Sequence, residues 1–180
     1  SQIVREVGAS DWLIRTTLAS GAAKRPDYAS YTVLPWDLVY LVSFIDQANH
    51  GDGLRVSAGC DIGYAEKEGR IRTQPWSGCP AGIWSAGIEW NGNVKGCLCL
   101  PDDFIEGNVR KQGIADIWRN PQGFSYNRAF DPDAMTGPCR TCPHAFSCAC
   151  GCIGAALAST GTRYDNLYCV QRVAQEDVNA

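Results

Sequence analysis

Hydrophobic and polar positions follow one pattern in the first 65 or so residues of this 180-residue chain and another in the rest. Residues 11–18 (DWLIRTTL) are dense in apolar and β-branched side chains and predict a strand, closed by Gly21. Pro35 then stands in the first turn of a predicted helix, along which Leu38, Leu41, Val42, Ile45 and Ala48 recur at helical spacing until Gly51. Residues 53–58 (GLRVSA) predict a short buried strand ending at Gly59. Strand, helix, strand is the unit of a parallel sheet, and alone it is too small to be a domain.

Residues 66–76 (EKEGRIRTQPW) are polar, contain Gly69 and Pro75, and read as a linker. Beyond it, residues 86–97 hold two short apolar-alternating runs about Asn91-Gly92, a dipeptide that favours a tight hairpin because both residues tolerate positive φ. Two short helices follow: residues 113–119, with Ile114, Ile117 and Trp118 on one face, and residues 153–159, stopped by Gly161. The remainder is loop, without internal repeats.

Composition narrows the function. A net charge of -3 with 19% charged residues gives no basic excess for a nucleic-acid backbone. No run approaches the roughly 20 apolar residues of a membrane span, and residues 1–10 lack a signal pattern, so a cytoplasmic protein is expected. Ten cysteines then need a reason, five of them between Cys139 and Cys152. Disulfides would suit a small secreted domain, but six Trp and 45% hydrophobic residues already supply a core. In a reducing compartment, clustered thiols point to metal.

The spacing is specific. Cys139 and Cys142 form a C-x2-C bite, Cys148 and Cys152 follow after five and three residues, and Cys169 lies past a short helix. Upstream, Cys79 precedes Gly92 by twelve intervening residues and Cys97 follows after four, so a turn at Gly92 brings Cys79 and Cys97 together. Structural zinc also uses C-x2-C, but the interval from Cys79 to Cys97 is not that of a zinc ribbon.

The series C-x(9-15)-G-x4-C, gap, C-x2-C-x5-C-x3-C, gap, C resembles the SPASM domain, the auxiliary-cluster extension of radical S-adenosylmethionine (SAM) enzymes that mature peptides. Supporting segments are Gly78-Cys79-Pro80-Ala81-Gly82, Gly107-Asn108-Val109, Ile117-Trp118 and Cys148-Ala149-Cys150-Gly151-Cys152, although relatives usually carry glycine where Cys150 stands. The resemblance implies two 4Fe-4S clusters. Cys139, Cys142, Cys148 and Cys169 would hold the outer one; Cys79, Cys97 and Cys152 would hold the inner one. The inner cluster's fourth iron is then either open or capped by Cys60, Cys99 or Cys150. Cys60 and an open site rank ahead of Cys99, which a continuing strand would turn to the opposite face.

No C-x3-C-x2-C triplet occurs in the chain. The resemblance therefore implies that SAM and its cleaving third cluster belong to the remainder of a barrel or to a separate radical SAM subunit. The expected fold is α+β: a remnant of a partial (β/α) barrel of the TIM type over residues 1–65, a linker over 66–78, and a SPASM-like hairpin with short helices and cluster loops over 79–180. The expected partner is a ribosomally made precursor peptide. A stand-alone electron carrier or peptide-binding subunit and a zinc-stapled interaction domain are the alternatives.

Other side chains carry weaker expectations. His50 suits the C-terminal end of its helix, and His144 lies inside the cysteine loop, where tuning a cluster by a hydrogen bond is the lesser of its readings. Trp84, Trp90 and Trp118 read as core. Asp61, Tyr64 and Glu66 follow a strand end, where barrel substrates sit, with Asp61 reading as a turn cap. Glu89 and Lys95 read as a cross-strand surface pair.

Overall fold

In the computed structural model, residues 2–20, 23, 25–50, 53–65, 71 and 76–178 are described. Gly21, Gly51, Glu66 and most of the expected linker lie outside them.

The N-terminal part is a parallel β/α unit behind a short helix, α1 (Gln2–Glu6). Strand β1 (Asp11–Ile14) pairs with β2 (Arg55–Ala58), with Trp12 opposite Val56 and Ile14 opposite Ala58. β1 stops well short of residue 18 for a local reason. The ladder closes where Gly59 N–H donates to Ile14 O at 2.9 Å, and Thr16 N–H turns to the Asp61 carboxylate at 2.5 Å instead of to a strand.

The connecting helix opens as a tight turn, Pro35–Asp37, and continues as α2 (Leu38–Ala48). Asp37 reaches back to accept Leu34 N–H at 3.0 Å, satisfying a donor that the first turn leaves free. Leu38, Val42 and Ile45 are buried in one core with Val56 and Ala58. Asn49 locks the helix end to β2, donating to Val56 O at 2.7 Å and accepting from Val56 N–H at 2.8 Å.

That core does not stop at the β/α unit. It takes in Ile62, Ala65 and Ile71, then Cys152, Ala155 and Tyr168 from the far end of the chain. Helix α7 (Val170–Val178) packs on α2, and Tyr168 Oη donates to Val33 O at 2.7 Å. The β/α unit and the cysteine-bearing end therefore share one packed interior.

The second sheet is antiparallel: β3 (Gly87–Ile88), β4 (Asn93–Lys95) and β5 (Gly107–Asn108). The hairpin forms where expected, but its turn is longer than two residues. Gly92 alone takes positive φ (91°), Gly92 N–H closes on Glu89 O at 2.9 Å, and Asn91 uses its side chain to accept Asn93 N–H at 3.0 Å. A Cβ on Gly92 would also meet Asn108 Oδ1 at 2.8 Å.

Val94, Ile117 and Phe124 form a small core under this sheet, with Trp118 and Tyr126 against it. Ile117 comes from α3 (Ile114–Arg119), and α4 (Ser125–Arg128) follows Phe124. Three expectations are corrected here. Trp84 and Trp90 are 82% and 90% exposed rather than core, and Ile114 is exposed. Lys95, expected at the surface, is buried, because Glu89, Asp102 and Leu100 O surround its ammonium. The chain ends through α5 (Ala145–Cys148), α6 (Ile153–Thr160, stopped by Gly161 as expected) and α7. Among the described residues no helix is long and apolar enough to cross a membrane.

Candidate metal centre

None of the ten cysteines is in a disulfide, and the fold sorts them into two groups. Cys139, Cys142, Cys148, Cys150 and Cys169 line one cavity together with Gly63 and Tyr64. Cys139 lies on the turn Gly137–Thr141 and Cys142 just after it. Cys148 ends α5. Cys169 immediately precedes α7, where helix amides point at an anion. Burial pushes the Cys169 thiol up, and the amides of Arg172, Tyr64 and Gln171 oppose that push.

Two neighbours fix this group in place. Gly63 has φ 67°, and a Cβ there would lie 2.6 Å from Cys169 Cα and 2.9 Å from its Sγ, so only glycine lets the two segments meet. Trp76, unnoticed in the sequence, donates its indole N–H to Cys148 Sγ at 3.2 Å. Burial pushes Cys148 up to about 12, with the indole acting in the other direction. His144 stacks on Tyr64, with ring centroids 3.7 Å apart and planes 12° from parallel. His50 Nδ1–H donates to Asp46 O at 2.7 Å, a structural role.

Cys150 is a correction. It stands with the outer thiols rather than the inner ones, buried beside Met135 and Ala145 with Cys139 and Cys142 against them. A hydrogen bond with Cys150 holds Cys139 down and drives Cys150 up. The φ of 61° at Cys150 explains why glycine suits this position.

The second group is Cys60, Cys79, Cys97, Cys99 and Cys152. Cys60 Sγ lies 3.9 Å from Cys152 Sγ, and Arg15 Nη2 donates to Cys60 at 3.6 Å. The bond to Cys152 lowers Cys60 to about 7 despite burial, with help from the Arg15 charge, and Cys152 rises as its counterpart. Cys152 caps the start of α6. Cys79 acts electrostatically on Cys152. Its loop is held by Asn127 Nδ2, which donates to Ala81 O at 2.7 Å and Cys79 O at 3.4 Å.

Cys99 is the second correction. β4 ends at Lys95, so no strand carries Cys99 to the opposite face. A turn closed by Leu100 N–H on Cys97 O at 3.1 Å brings it back, and its hydrogen bond with Cys97 lowers Cys99 to about 6 and raises Cys97. Asp61, at the edge of this group, accepts from both Thr16 N–H and Thr16 Oγ1. These bonds tie the end of β1 to the turn Cys60–Ile62, a long-range tie in place of the turn cap expected of Asp61.

Chemically, these thiols are in conflict with each other. Each close pair shares a proton, so the loss of one is eased at the expense of its neighbour, and full deprotonation needs a cation in the protons' place. Five thiols around one cavity can supply one thiolate per iron to an inorganic cube from donors spread about it. The donor set fits iron-sulfur clusters.

Comparison with known proteins agrees with that chemistry. Residues 79–143 match SPASM, an iron-sulfur cluster-binding domain. The AdoMet-dependent heme synthase of Methanosarcina barkeri (strain Fusaro / DSM 804) is 26% identical over 186 residues, covering 95% of this chain and 51% of its own length. Native anSMEcpe with bound AdoMet shares the fold with TM-score 0.50 and 18% identity, over 90% of this chain and 43% of that one. Native anSMEcpe with bound AdoMet and Cp18Cys peptide aligns with TM-score 0.52 and 16% identity, over 99% of this chain and 50% of that one. The chain thus spans about half the length of the relatives it matches.

Proposed function

Because residues 79–143 carry a SPASM iron-sulfur cluster-binding domain, we propose that this chain is the two-cluster portion of a radical SAM oxidoreductase that modifies a peptide. The observation that carries the reading is the sorting of the thiols into two groups joined by the short segment from Cys148 to Cys152. Cys139, Cys142, Cys148 and Cys169 would hold the outer 4Fe-4S cluster. Cys79, Cys97, Cys152 and Cys60 would hold the inner one, with Cys60 favoured as fourth ligand by its 3.9 Å approach to Cys152.

When bound, such clusters supply one-electron acceptor levels whose potentials the protein sets. This chain's residues do the setting: Trp76 by its N–H on Cys148, Arg15 by its charge beside Cys60, and the amides around Cys169 by favouring thiolate. Cys99, at the edge of the inner group, faces a cavity of about 570 Å³ with Leu98, Phe104 and Gly154. That size suits a small ligand or one residue of a peptide, and it supports a substrate route to the inner group.

β1, α2 and β2 are consistent with the last part of a (β/α) barrel, whose remainder, or a separate subunit, would hold SAM and its own cluster. A cytoplasmic site goes with free thiols. The peptide is suggested by the neighbour solved with one. A second reading, a porphyrin substrate, is favoured by 26% identity over nearly the whole chain to a heme synthase.

Anaerobic reconstitution followed by iron, sulfide and zinc analysis is the test. Two cubes predict about eight irons per chain. Zinc with little iron would end this reading. Titrating the loaded chain with a cysteine-containing peptide and with a heme-precursor porphyrin, and watching the paramagnetic resonance of the inner cluster, then distinguishes the two substrates.

A further inference from the structure

Arg163, in the loop between α6 and α7, is only 8% exposed. Its Nε and Nη1 are buried without a hydrogen-bond partner, and no carboxylate pairs with it among the described residues. Its guanidinium carbon lies 4.0 Å from the ring centroid of Phe130 and 5.5 Å from that of Tyr164. Those rings stack on each other at 5.5 Å and pack, alongside Cys139 and Cys142, on the buried Met135, Ala145 and Cys150.

A cation–π contact does not offset the hydration that a buried guanidinium gives up, so the charge of Arg163 calls for negative charge close by. Besides Tyr164, the groups whose charge reaches Arg163 are Cys150 and Cys79, one from each thiol set. A 4Fe-4S cluster with thiolate ligands is net negative and gains further negative charge on reduction. We infer that Arg163 is the internal counter-ion of the cluster-loaded thiol groups, a positioning residue that stabilises their reduced states through its buried charge and its two unpartnered N–H groups. The inference rests on the two-cluster reading above.

The test uses the full chain, reconstituted anaerobically, as wild type, Arg163→Met and Arg163→Lys. Iron is counted, and each cluster's reduction is followed by paramagnetic resonance at controlled potential. Loss of the charge in Arg163→Met is expected to disfavour reduction of the outer cluster at least tenfold, a fall of about 59 mV for a one-electron couple. Arg163→Lys is expected to recover most of it. Two loaded clusters with unmoved potentials in Arg163→Met would overturn the inference. If the Met variant does not load, the Lys variant decides: recovery of iron and potential supports a charge role, and failure equal to that of Met overturns it. A wild-type chain that takes up no iron overturns the two-cluster reading and this inference with it, whereas a loaded wild type with unmoved variants overturns this inference alone.

Discussion

Replacing Lys95 with Met asks whether the loop of the inner thiols depends on one buried cation. Met keeps much of the apolar stem and removes the charge and its donors. Lys95 Nζ lies 2.6 Å from Glu89 Oε1, 2.8 Å from Leu100 O and 3.2 Å from Asp102 Oδ1. The three partners are not equal. The Asp102 side chain is 83% exposed and rehydrates on losing its partner, so its share is below about 1 kcal/mol. Glu89 is 21% exposed and would keep a poorly hydrated charge held only by the long 3.4 Å bond from Asn93 Nδ2, worth about 2 kcal/mol. The Leu100 carbonyl loses a charged donor, worth about 1.5 kcal/mol. The expected destabilisation is about 3.5 to 4.5 kcal/mol, within the range for breaking a buried ion pair.

The effect has a local address, because Leu100, whose carbonyl Lys95 holds, closes with its N–H the turn that carries Cys97 and Cys99. Urea unfolding should show the full loss, and reconstituted iron should fall from about eight per chain towards about four as the inner site fails first. The pH dependence has a definite sign. Burial alone would lower Lys95, but its bonds to Glu89 and Asp102 outweigh that and leave it raised above 10.5. A raised folded value means stability that is complete below the unfolded value and lost as pH rises through the folded one. Wild type should therefore lose this stabilisation only above pH 10.5, and the Met variant should lack that limb. A stability loss under about 1 kcal/mol, with inner iron intact, would refute the reasoning.

Three further outcomes are expected. Gly63→Ala places a Cβ 2.6 Å from Cys169 Cα at φ 67°, and about half the iron should be lost with the outer site; full iron loading would count against that packing. Trp76→Phe keeps an aromatic ring but removes the N–H on Cys148; about 1 kcal/mol of preference for the more negative, reduced state of the proposed outer cluster corresponds to a fall of about 40 mV in its potential, and a redox titration that shows no fall dismisses the bond as a tuning device. Cys60→Ser should abolish the inner cluster's resonance while Cys99→Ser retains it, and the reverse result would transfer the cap to Cys99.

Much of this was legible in the sequence because spacing along the chain is itself chemistry. Thiols separated by two or three residues must lie close in any fold, so the cysteine pattern pointed to the SPASM domain that residues 79–143 match, and helical periodicity found α2 and α6. What escaped depended on contacts across long separations. Trp76 meets Cys148, Arg15 meets Cys60, and Gly63 meets Cys169, and no local pattern distinguishes those residues from ordinary surface. Lys95 misled for the opposite reason: alternation in a hairpin gives the face of a side chain, but not the Leu100 carbonyl and Asp102 carboxylate that a later turn brings over it. β5 is only two residues long, below the reach of any periodicity.

The segment from Cys148 to Cys152 explains how one short loop can serve two thiol groups. Residues four apart share a face in a helix and, by alternation, in a strand, so either regular structure would send Cys148 and Cys152 to the same side. The chain avoids both. Ala149, Cys150 and Gly151 take φ of 46°, 61° and 75° in succession, a left-handed run that costs about 1–2 kcal/mol at each non-glycine residue. It persists because the surroundings hold it. Gly151 N–H donates to Cys148 O and Ala149 N–H to Ala145 O, both at 2.9 Å, and buried Asn166 donates to Cys150 O at 3.1 Å. The strain is the cost of turning Cys152 away from Cys148 over three residues. The same bonds fix how the two thiol groups are held relative to each other, the rigidity that the proposed two-cluster arrangement requires of a loop serving both.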